Sequence, residues 1–185
     1  VMKYVEGVAL DNKGIKLSIP SVVSIFGEVS DALDALHTHE PPLLHRDLKL
    51  ANILIDENEH PYLIDFNLVR FQSMEQTAVS MPGFFRCSPS YGPPEVVAAF
   101  VGTDETGKTT PPIDPRADLW QVGNCMYRLL AFGRRPIEGD NMEDYIRFIR
   151  ARKEIPSLTS IRPDLPKSVN DIVMKLLRYE TVERF

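Results

Sequence analysis

Four polar side chains fall close together in one stretch of the chain, HRDLKLANILIDENEHPYLIDFNLVR. Asp47, Lys49 and Asn52 lie within six residues, and Asp65 follows thirteen residues after Asn52. An aspartate beside a hydroxyl can orient it and accept its proton, and a lysine can neutralise charge on a transferring phosphoryl group. Amide and carboxylate oxygens are hard ligands that suit Mg²⁺ together with phosphate oxygens. These residue types therefore indicate phosphoryl transfer.

A β-hairpin is predicted between the last two of these residues. The short apolar runs Ile53–Ile55 and 62–64 flank the polar segment DENEHP, a pattern typical of two strands joined by a turn. Such a hairpin returns the chain on itself, so we expect Asn52 and Asp65 to face one site.

Helices account for most of the remaining pattern. Apolar residues at helical spacing predict helices over residues 18–37, 117–132, 141–153 and 168–178. The second is apolar over most of its surface and is predicted to be buried centrally. Asn141 is predicted to cap the third helix, and Ser168, with Asp171 three residues later, resembles a capping box for the fourth. The predicted fold class is α+β, mostly helical with small β-hairpins.

The composition limits the classes of function. A chain of 185 residues with 43% hydrophobic residues can form one domain with its own core. A formal net charge of −5 gives no case for binding nucleic acid or a membrane surface. Cys87 and Cys125 provide neither a disulfide framework nor metal-site spacing, and no apolar run approaches about 20 residues. We therefore expect a cytoplasmic location.

The opening stretch resembles the catalytic loop and the metal-binding segment of eukaryotic-type protein kinases, H-R-D-x-K-x-x-N and D-F-G. Here they stand as HRDLKLAN and DFN. Further matches follow in the family's order: SPSYGPPE resembles the segment ending in A-P-E, DLWQVG the start of the central helix, and ETVERF the arginine that pairs with the A-P-E glutamate. VMKYVEG resembles the hinge between the two lobes. Lys49, and Ser88 in the usual position of a threonine, resemble the residues that serine/threonine kinases have at these positions.

This resemblance implies a reaction and its machinery. The γ-phosphoryl group of Mg²⁺-ATP would pass to a serine or threonine hydroxyl of a protein substrate. Asp47 would be the catalytic base and Lys49 would contact the transferred phosphate, while Asn52 and Asp65 would hold Mg²⁺. ATP would contact three further residues: Lys3, Val5 and Leu54.

Two more groups of residues receive roles from the resemblance. The activation loop and substrate platform would include Arg46, Thr77, Ser80, Ser88 and Glu95, with Ser73 as another candidate phosphorylation site. Arg46 would pair with a phosphate placed by an upstream activating kinase. Structural roles would fall to His45, Phe66, Asp118 and Arg184. We expect Asp118 to hold backbone amides of the catalytic loop, and Glu95 and Arg184 to form a buried ion pair.

The sequence also departs from the family pattern. Asn67 replaces the glycine of D-F-G, a change expected to shift the balance between active and inactive states. Cys87 stands where glycine is usual, Pro93 replaces the alanine of A-P-E, and the connection from Glu95 to Asp118 resembles a surface insertion. The glycine-rich loop and the small-lobe lysine are absent from these residues. Residues 1–185 are thus expected to be the large lobe alone, cut from a longer chain at both ends and inefficient as a kinase by itself.

Three other functions compete with this interpretation. A pseudokinase-like interaction module would keep the fold and signal by binding. A small-molecule kinase of related fold would share the H-x-D-x-x-x-x-N logic, although the P-P-E segment argues against it. A glycosidase with Asp47 and Asp65 as paired carboxylates would explain neither Lys49 nor Asn52.

Overall fold

The computed structural model describes residues 5–66, 70–71, 88–101, 113–139 and 141–185. The helices in these residues are α1 (Ile19–His37), α2 (Pro94–Val101), α3 (Arg116–Leu130), α4 (Met142–Arg150), α5 (Leu158–Ile161) and α6 (Lys167–Leu176). The strands are β1 (Val8–Ala9), β2 (Leu43–Leu44), β3 (Ile53–Ile55), β4 (Pro61–Leu63) and β5 (Arg70–Phe71). Short 3₁₀ turns occupy Leu50–Asn52, Pro89–Tyr91 and Thr181–Glu183. The predicted α+β class is confirmed.

Helix α1 begins at a side-chain cap. The Ser18 hydroxyl accepts the Ser21 backbone N–H at 3.1 Å, and Pro20 lies in the first turn, where its missing N–H costs no helical hydrogen bond. One face of the helix is buried, through Val22, Ile25, Phe26, Val29 and Leu33. The helix predicted from this apolar stripe is confirmed.

Helix α3 passes through the centre of the core, as predicted. Trp120 is fully buried, and the helix packs against both α1 and α6. The contact with α6 is close at Gly123, where an added Cβ would lie 2.7 Å from the Leu176 Cβ. Three buried polar side chains project from this apolar helix: Asp118, Gln121 and Asn124. Their hydrogen bonds position the candidate site.

The predicted hairpin is confirmed and belongs to a larger sheet. Strands β3 and β4 are antiparallel, with Ile53 opposite Leu63. Strand β1, which the sequence analysis missed, pairs antiparallel with β3 on its other edge. Because side chains alternate across a strand, Ile53 and Ile55 enter the core while Leu54 lies half-buried on the opposite face. A second small sheet pairs β2 with β5.

One predicted helix cap is confirmed and another is wrong. Asn141 caps α4, since its Oδ1 accepts the Asp144 backbone N–H at 3.0 Å. Helix α6 begins at Lys167, one residue before Ser168, so the predicted capping box does not form. The preceding Pro166 takes an extended conformation with ψ of 134° and itself stands at the cap position.

The connection from Glu95 to Asp118 is not wholly a surface insertion, which corrects the expectation from sequence. Its first part forms α2, and Val97 in this helix is fully buried. At its far end Ile113 and Ala117 are also buried, against Leu44. These apolar side chains contribute to a core, so this much of the connection is part of the fold. In the ranges that the structure covers, no helix is long and apolar enough to cross a bilayer.

Candidate active site

Asp47 lies in the loop after β2 and is bound on three sides. Its Oδ2 accepts the Lys49 ammonium at 2.7 Å, and its Oδ1 accepts the backbone N–H of Ser88 at 2.9 Å. The Asn52 amide donates to the Asp47 carbonyl at 2.9 Å and lies 3.3 Å from its Oδ2. Three residues singled out for phosphoryl transfer therefore share one hydrogen-bond network.

The surroundings of Asp47 favour the ionised carboxylate. Burial alone would raise the pKa, because a low-dielectric environment disfavours charge. The hydrogen bonds from Lys49 and Ser88 outweigh burial and hold the pKa of Asp47 below its usual value. An ionised carboxylate at neutral pH is the state that can accept a hydrogen bond from a substrate hydroxyl.

Lys49 is the cation of this network. Its ammonium also donates to the Ser88 hydroxyl at 3.1 Å, so it bridges the loop that carries Asp47 and the segment that begins at Ser88. The side chain is 25% exposed, so its charge lies at the surface of the site. A cation in this position can stabilise negative charge on a group transferred beside Asp47.

Asp118 holds the backbone of the loop that carries Asp47. Its fully buried carboxylate accepts the backbone N–H groups of His45 at 2.9 Å and Arg46 at 2.8 Å. His37, at the end of α1, adds a third hydrogen bond, from Nε2 to Oδ2 at 2.8 Å. Arg46 has a φ of 71°, a conformation that costs non-glycine residues free energy and needs support from its surroundings.

Gln121 completes this support one helical turn after Asp118. Its Oε1 accepts the Leu48 backbone N–H at 2.9 Å, and its Nε2 donates to the Arg46 carbonyl at 2.8 Å. Neither Gln121 nor His37 was predicted from the sequence to support this loop. The available signal for Gln121 was its i, i+3 spacing from Asp118 on a helix predicted to be buried.

Asn52 and Asp65 flank the hairpin, as predicted. The Ile64 backbone N–H donates to the Asn52 carbonyl at 3.0 Å and ties the two ends together. Asn52 is buried, whereas Asp65 is exposed and has a φ of 64°. These two side chains offer oxygen ligands, and Mg²⁺ commonly takes its remaining ligands from water and substrate phosphates. No group of three or more His, Cys, Asp or Glu side chains suited to a metal occurs in the described ranges.

The His45 side chain is fully buried beside the site, so a substrate cannot reach its ring from solvent. Burial lowers its pKa, despite the nearby charges of Asp118 and Asp47. Its ring lies 5.3 Å from the ring of Phe66, which is 49% exposed. A neutral, enclosed imidazole is a packing group here.

Glu95 and Arg184 form a buried, two-pronged ion pair. The distances are 2.7 Å from Nη1 to Oε1 and 2.8 Å from Nη2 to Oε2. Arg184 also donates to the carbonyls of Arg116, Arg178 and Tyr179. The pair therefore joins the start of α2 to the start of α3 and to the end of the chain.

Comparison with known sequences shows the family of this chain. The family model described as "Protein kinase domain" matches residues 1–185. The chain belongs to the protein kinase family. Among its relatives is a probable serine/threonine-protein kinase PknB of Lactococcus lactis, 24% identical over 188 residues that cover 100% of this chain and 27% of that protein.

Two other relatives carry similar names. A probable serine/threonine-protein kinase, pknA2, of Bifidobacterium longum is 28% identical over 95% of this chain and 21% of its own length. The serine/threonine-protein kinase Nek6 of rice is 30% identical over 90% of this chain and 27% of its own length. This kinase domain thus spans about a quarter of the length of these relatives.

The segment after Ser88 is fixed to the helices of the kinase domain by residues that the sequence analysis missed. The Ser90 carbonyl accepts hydrogen bonds from Asn124 at 3.1 Å and from Arg128 at 2.6 Å. The buried Tyr145 hydroxyl donates to the Gly92 carbonyl at 2.8 Å. Asn124 and Arg128 follow Gln121 at helical spacing along α3, which is the pattern that could have indicated them.

Several residues named from sequence lie outside the described residues. These are Lys3 of the ATP-contacting set, the activation-loop residues Ser73, Thr77 and Ser80, and the two family departures Asn67 and Cys87. The other two predicted ATP contacts, Val5 and Leu54, are both half-buried.

Proposed function

We propose that the protein containing this kinase domain transfers the γ-phosphoryl group of Mg²⁺-ATP to serine or threonine hydroxyls of protein substrates. The observation that carries the proposal is the binding of Asp47 between the Lys49 ammonium and the Ser88 backbone N–H. This arrangement keeps a carboxylate ionised beside Lys49, whose side chain is 25% exposed, so a hydroxyl can be oriented there for attack. The family and the names of the relatives support the same reaction.

Each step of the reaction has a residue suited to it. The substrate hydroxyl oxygen forms a bond to the γ-phosphorus, and the bond from phosphorus to the β–γ bridging oxygen breaks, which releases ADP. Asp47 orients the hydroxyl and accepts its proton as the new bond forms. Lys49 stabilises negative charge on the transferring group.

Asn52 and Asp65 would hold Mg²⁺ beside this centre. Their oxygen atoms are the ligand type that the ion prefers, and the hairpin brings both residues to one end of β3 and β4. Bound Mg²⁺ would neutralise phosphate charge. ATP would contact Lys3, Val5 and Leu54, and the half-buried face of Leu54 is suited to an adenine ring.

We further propose that residues 1–185 are the large lobe of the catalytic domain, without the small lobe. Residues 1–185 contain no glycine-rich phosphate loop followed by a strand lysine. The parent protein would supply those parts, and this chain alone would transfer phosphate poorly. In the parent, an upstream kinase would phosphorylate Ser73, Thr77 or Ser80, and Arg46 would pair with that phosphate. A cytoplasmic location suits such signalling.

Phosphate incorporation by the full-length protein tests the proposed activity. Wild-type protein, Asp47→Ala and the matched control Asp34→Ala are incubated with Mg²⁺-ATP and either casein, an acidic substrate, or histone, a basic one. Asp34 is an exposed aspartate of α1, so its loss leaves the site intact. We expect incorporation by wild type and Asp34→Ala, and a loss of about a hundredfold or more in Asp47→Ala.

The other outcomes identify the alternatives. Undiminished incorporation by Asp47→Ala would remove Asp47 as the catalytic base. A folded wild-type protein that incorporates no phosphate and still binds protein partners would support the pseudokinase-like module instead.

A further inference from the structure

Arg128 places a positive charge beside the segment that is bonded to Asp47. Its guanidinium carbon lies 3.8 Å from the centre of the Tyr91 ring, and its Nη2 donates to the Ser90 carbonyl. The Tyr91 backbone N–H donates to the Ser88 carbonyl at 2.9 Å, which closes a single 3₁₀ turn. At about 2 Å of rise per residue, this turn separates Ser88 from Tyr91 by about 6 Å. Arg128 is therefore about one turn away from the residue that binds Asp47 and Lys49.

The charge of Arg128 is not balanced by a carboxylate within the part of the chain that the structure describes. The ion pairs in that part leave Arg128 without an acidic partner, whereas the buried Arg184 is paired with Glu95. The Gly133 backbone N–H donates to the Arg128 carbonyl at 2.7 Å, so the turn that leads to Arg135 begins beside Arg128. Burial lowers the pKa of Arg128, and the charge of Arg135 lowers it further. Arg135 is exposed, with a weak contact to the Gly139 carbonyl at 3.4 Å.

Part of the Arg128 guanidinium makes no hydrogen bond within the described ranges. One face of the guanidinium is stacked on Tyr91, its Nε is used by the Asn124 side chain at 2.7 Å, and one Nη2 hydrogen is used by Ser90. Nη1 donates to no group among the described residues, and the side chain is partly exposed. A planar fork whose Nη1 group has no acceptor in the described part of the chain suits a carboxylate.

We propose that Arg128, assisted by Arg135, selects protein substrates that carry an aspartate or glutamate close to the acceptor hydroxyl. The inference rests on the proposed function, because it assigns specificity to the same site. The net charge of residues 1–185 is −5, so the bulk charge of this domain alone would favour basic peptides. A preference for acidic peptides would consequently report a local cation and not the overall charge.

Peptide binding to the full-length protein tests the proposal without requiring turnover. Two peptides of equal length have the acceptor serine replaced by alanine, and carry either aspartate or lysine at the flanking positions. Dissociation constants are measured by fluorescence anisotropy for wild type, Arg128→Gln, Arg128→Glu, Arg135→Gln and the control Arg150→Gln, an exposed arginine of α4. Thermal unfolding shows whether each variant is folded.

We expect wild type and Arg150→Gln to bind the aspartate peptide about tenfold more tightly than the lysine peptide, as one charge-assisted, two-pronged contact allows. Arg128→Gln should reduce this ratio to about one, Arg128→Glu should reverse it, and Arg135→Gln should reduce it two- to threefold. A ratio of one or below in wild type, or an unchanged ratio in Arg128→Gln, overturns the proposal. If Arg128→Gln does not fold, an unchanged ratio in Arg135→Gln overturns it.

A parallel assay with the matching serine peptides separates this proposal from the proposed function. If no peptide is phosphorylated and the binding ratio is unchanged, the proposed kinase activity is wrong and the proposed selection of acidic peptides stands. If both peptides are phosphorylated at equal kcat/KM and bind equally, the proposed kinase activity stands and the proposed selection of acidic peptides is wrong. A purely structural Arg128 would lower transfer to both peptides equally when replaced.

Discussion

The Asp118 carboxylate accepts the Arg46 backbone N–H at 2.8 Å and so holds Arg46 at a φ of 71°. These residues lie 72 positions apart in the chain, one on the central helix α3 and the other next to Asp47, the proposed catalytic base. A left-handed conformation in a non-glycine residue costs about 1–3 kcal/mol and persists only where the surroundings fix it. The position of Asp47 therefore depends on a side chain that does not touch the reacting groups.

Replacing Asp118 should destabilise the fold. In Asp118→Asn one carboxylate oxygen becomes an NH₂ group, so a donor would face the N–H groups of His45 or Arg46 or the ring of His37. A buried polar group left without a partner costs about 1–3 kcal/mol, and we expect a loss of that size in urea unfolding. The exposed control Asp34→Asn should unfold like wild type. Equal stability of the two variants would show that the three hydrogen bonds contribute little.

Replacing one partner of the ion pair of Glu95 and Arg184 should lower the free energy of unfolding more than replacing both. Glu95→Gln leaves a buried guanidinium without its carboxylate, for an expected loss of about 3 kcal/mol in the free energy of unfolding. The double variant Glu95→Leu with Arg184→Met should recover part of this loss, since neither charge stays buried. Disruption of the exposed pair Lys167 and Asp171 is the control, and it should change the free energy of unfolding little. If the stability loss of the double variant equals the sum of the losses of the two single variants, the two charges are not energetically coupled.

The stability conferred by Asp47 should depend on pH. Its pKa is lower in the folded protein than its ordinary value of about 3.9, so the folded state binds fewer protons near that value. The contribution of the ionised carboxylate is therefore present above pH 4 and is lost as the pH falls through the folded-state pKa. We expect the stability difference between wild type and Asp47→Asn to be greater at pH 6 than at pH 3. A difference that does not change with pH, measured by urea unfolding, would contradict the lowered pKa.

Two glycine-to-alanine changes should have opposite effects. At Gly123 the new methyl group would lie 2.7 Å from the Leu176 Cβ, so Gly123→Ala should push α6 from α3 and cost about 1–3 kcal/mol. At Gly27, within α1, nothing lies within 4 Å of the added carbon. Gly27→Ala should stabilise the helix by about 0.5–1 kcal/mol. Thermal unfolding measures both, and equal shifts would show that the helix contact adapts.

Cys125 should be inert while the protein is folded. The thiol is fully buried on α3, and burial raises its pKa far above that of a free cysteine. Because the thiolate is the reactive form, iodoacetamide at pH 8 should not modify the Cys125 peptide in native protein. Mass spectrometry should find it modified after addition of denaturant. Rapid modification under native conditions would indicate local opening of α3.

Much of the site could be predicted because its residues are close in sequence. Asp47, Lys49 and Asn52 are neighbours in one loop, and a short hairpin brings Asp65 to the same end of the sheet. Residue type and spacing indicated phosphoryl transfer, and the individual roles, which the family resemblance implies, stay predictions. Helices α1 and α3 were predictable for a similar reason, since each carries its apolar residues at a regular helical period.

The tertiary structure decided how these parts are held and what surrounds them. His37 binds the Asp118 carboxylate from 81 residues away, and Gln121 binds the Arg46 carbonyl from 75 residues away. Arg128 reaches the Ser90 carbonyl across 38 residues. The pairing of β1 with β3 is equally remote in sequence. Such contacts have no period in the sequence. The contacts of Gln121 and Arg128 exist because α3 packs through the centre of the core and directs its polar side chains at backbone groups from other elements. Only the folded chain fixes the directions of those backbone groups.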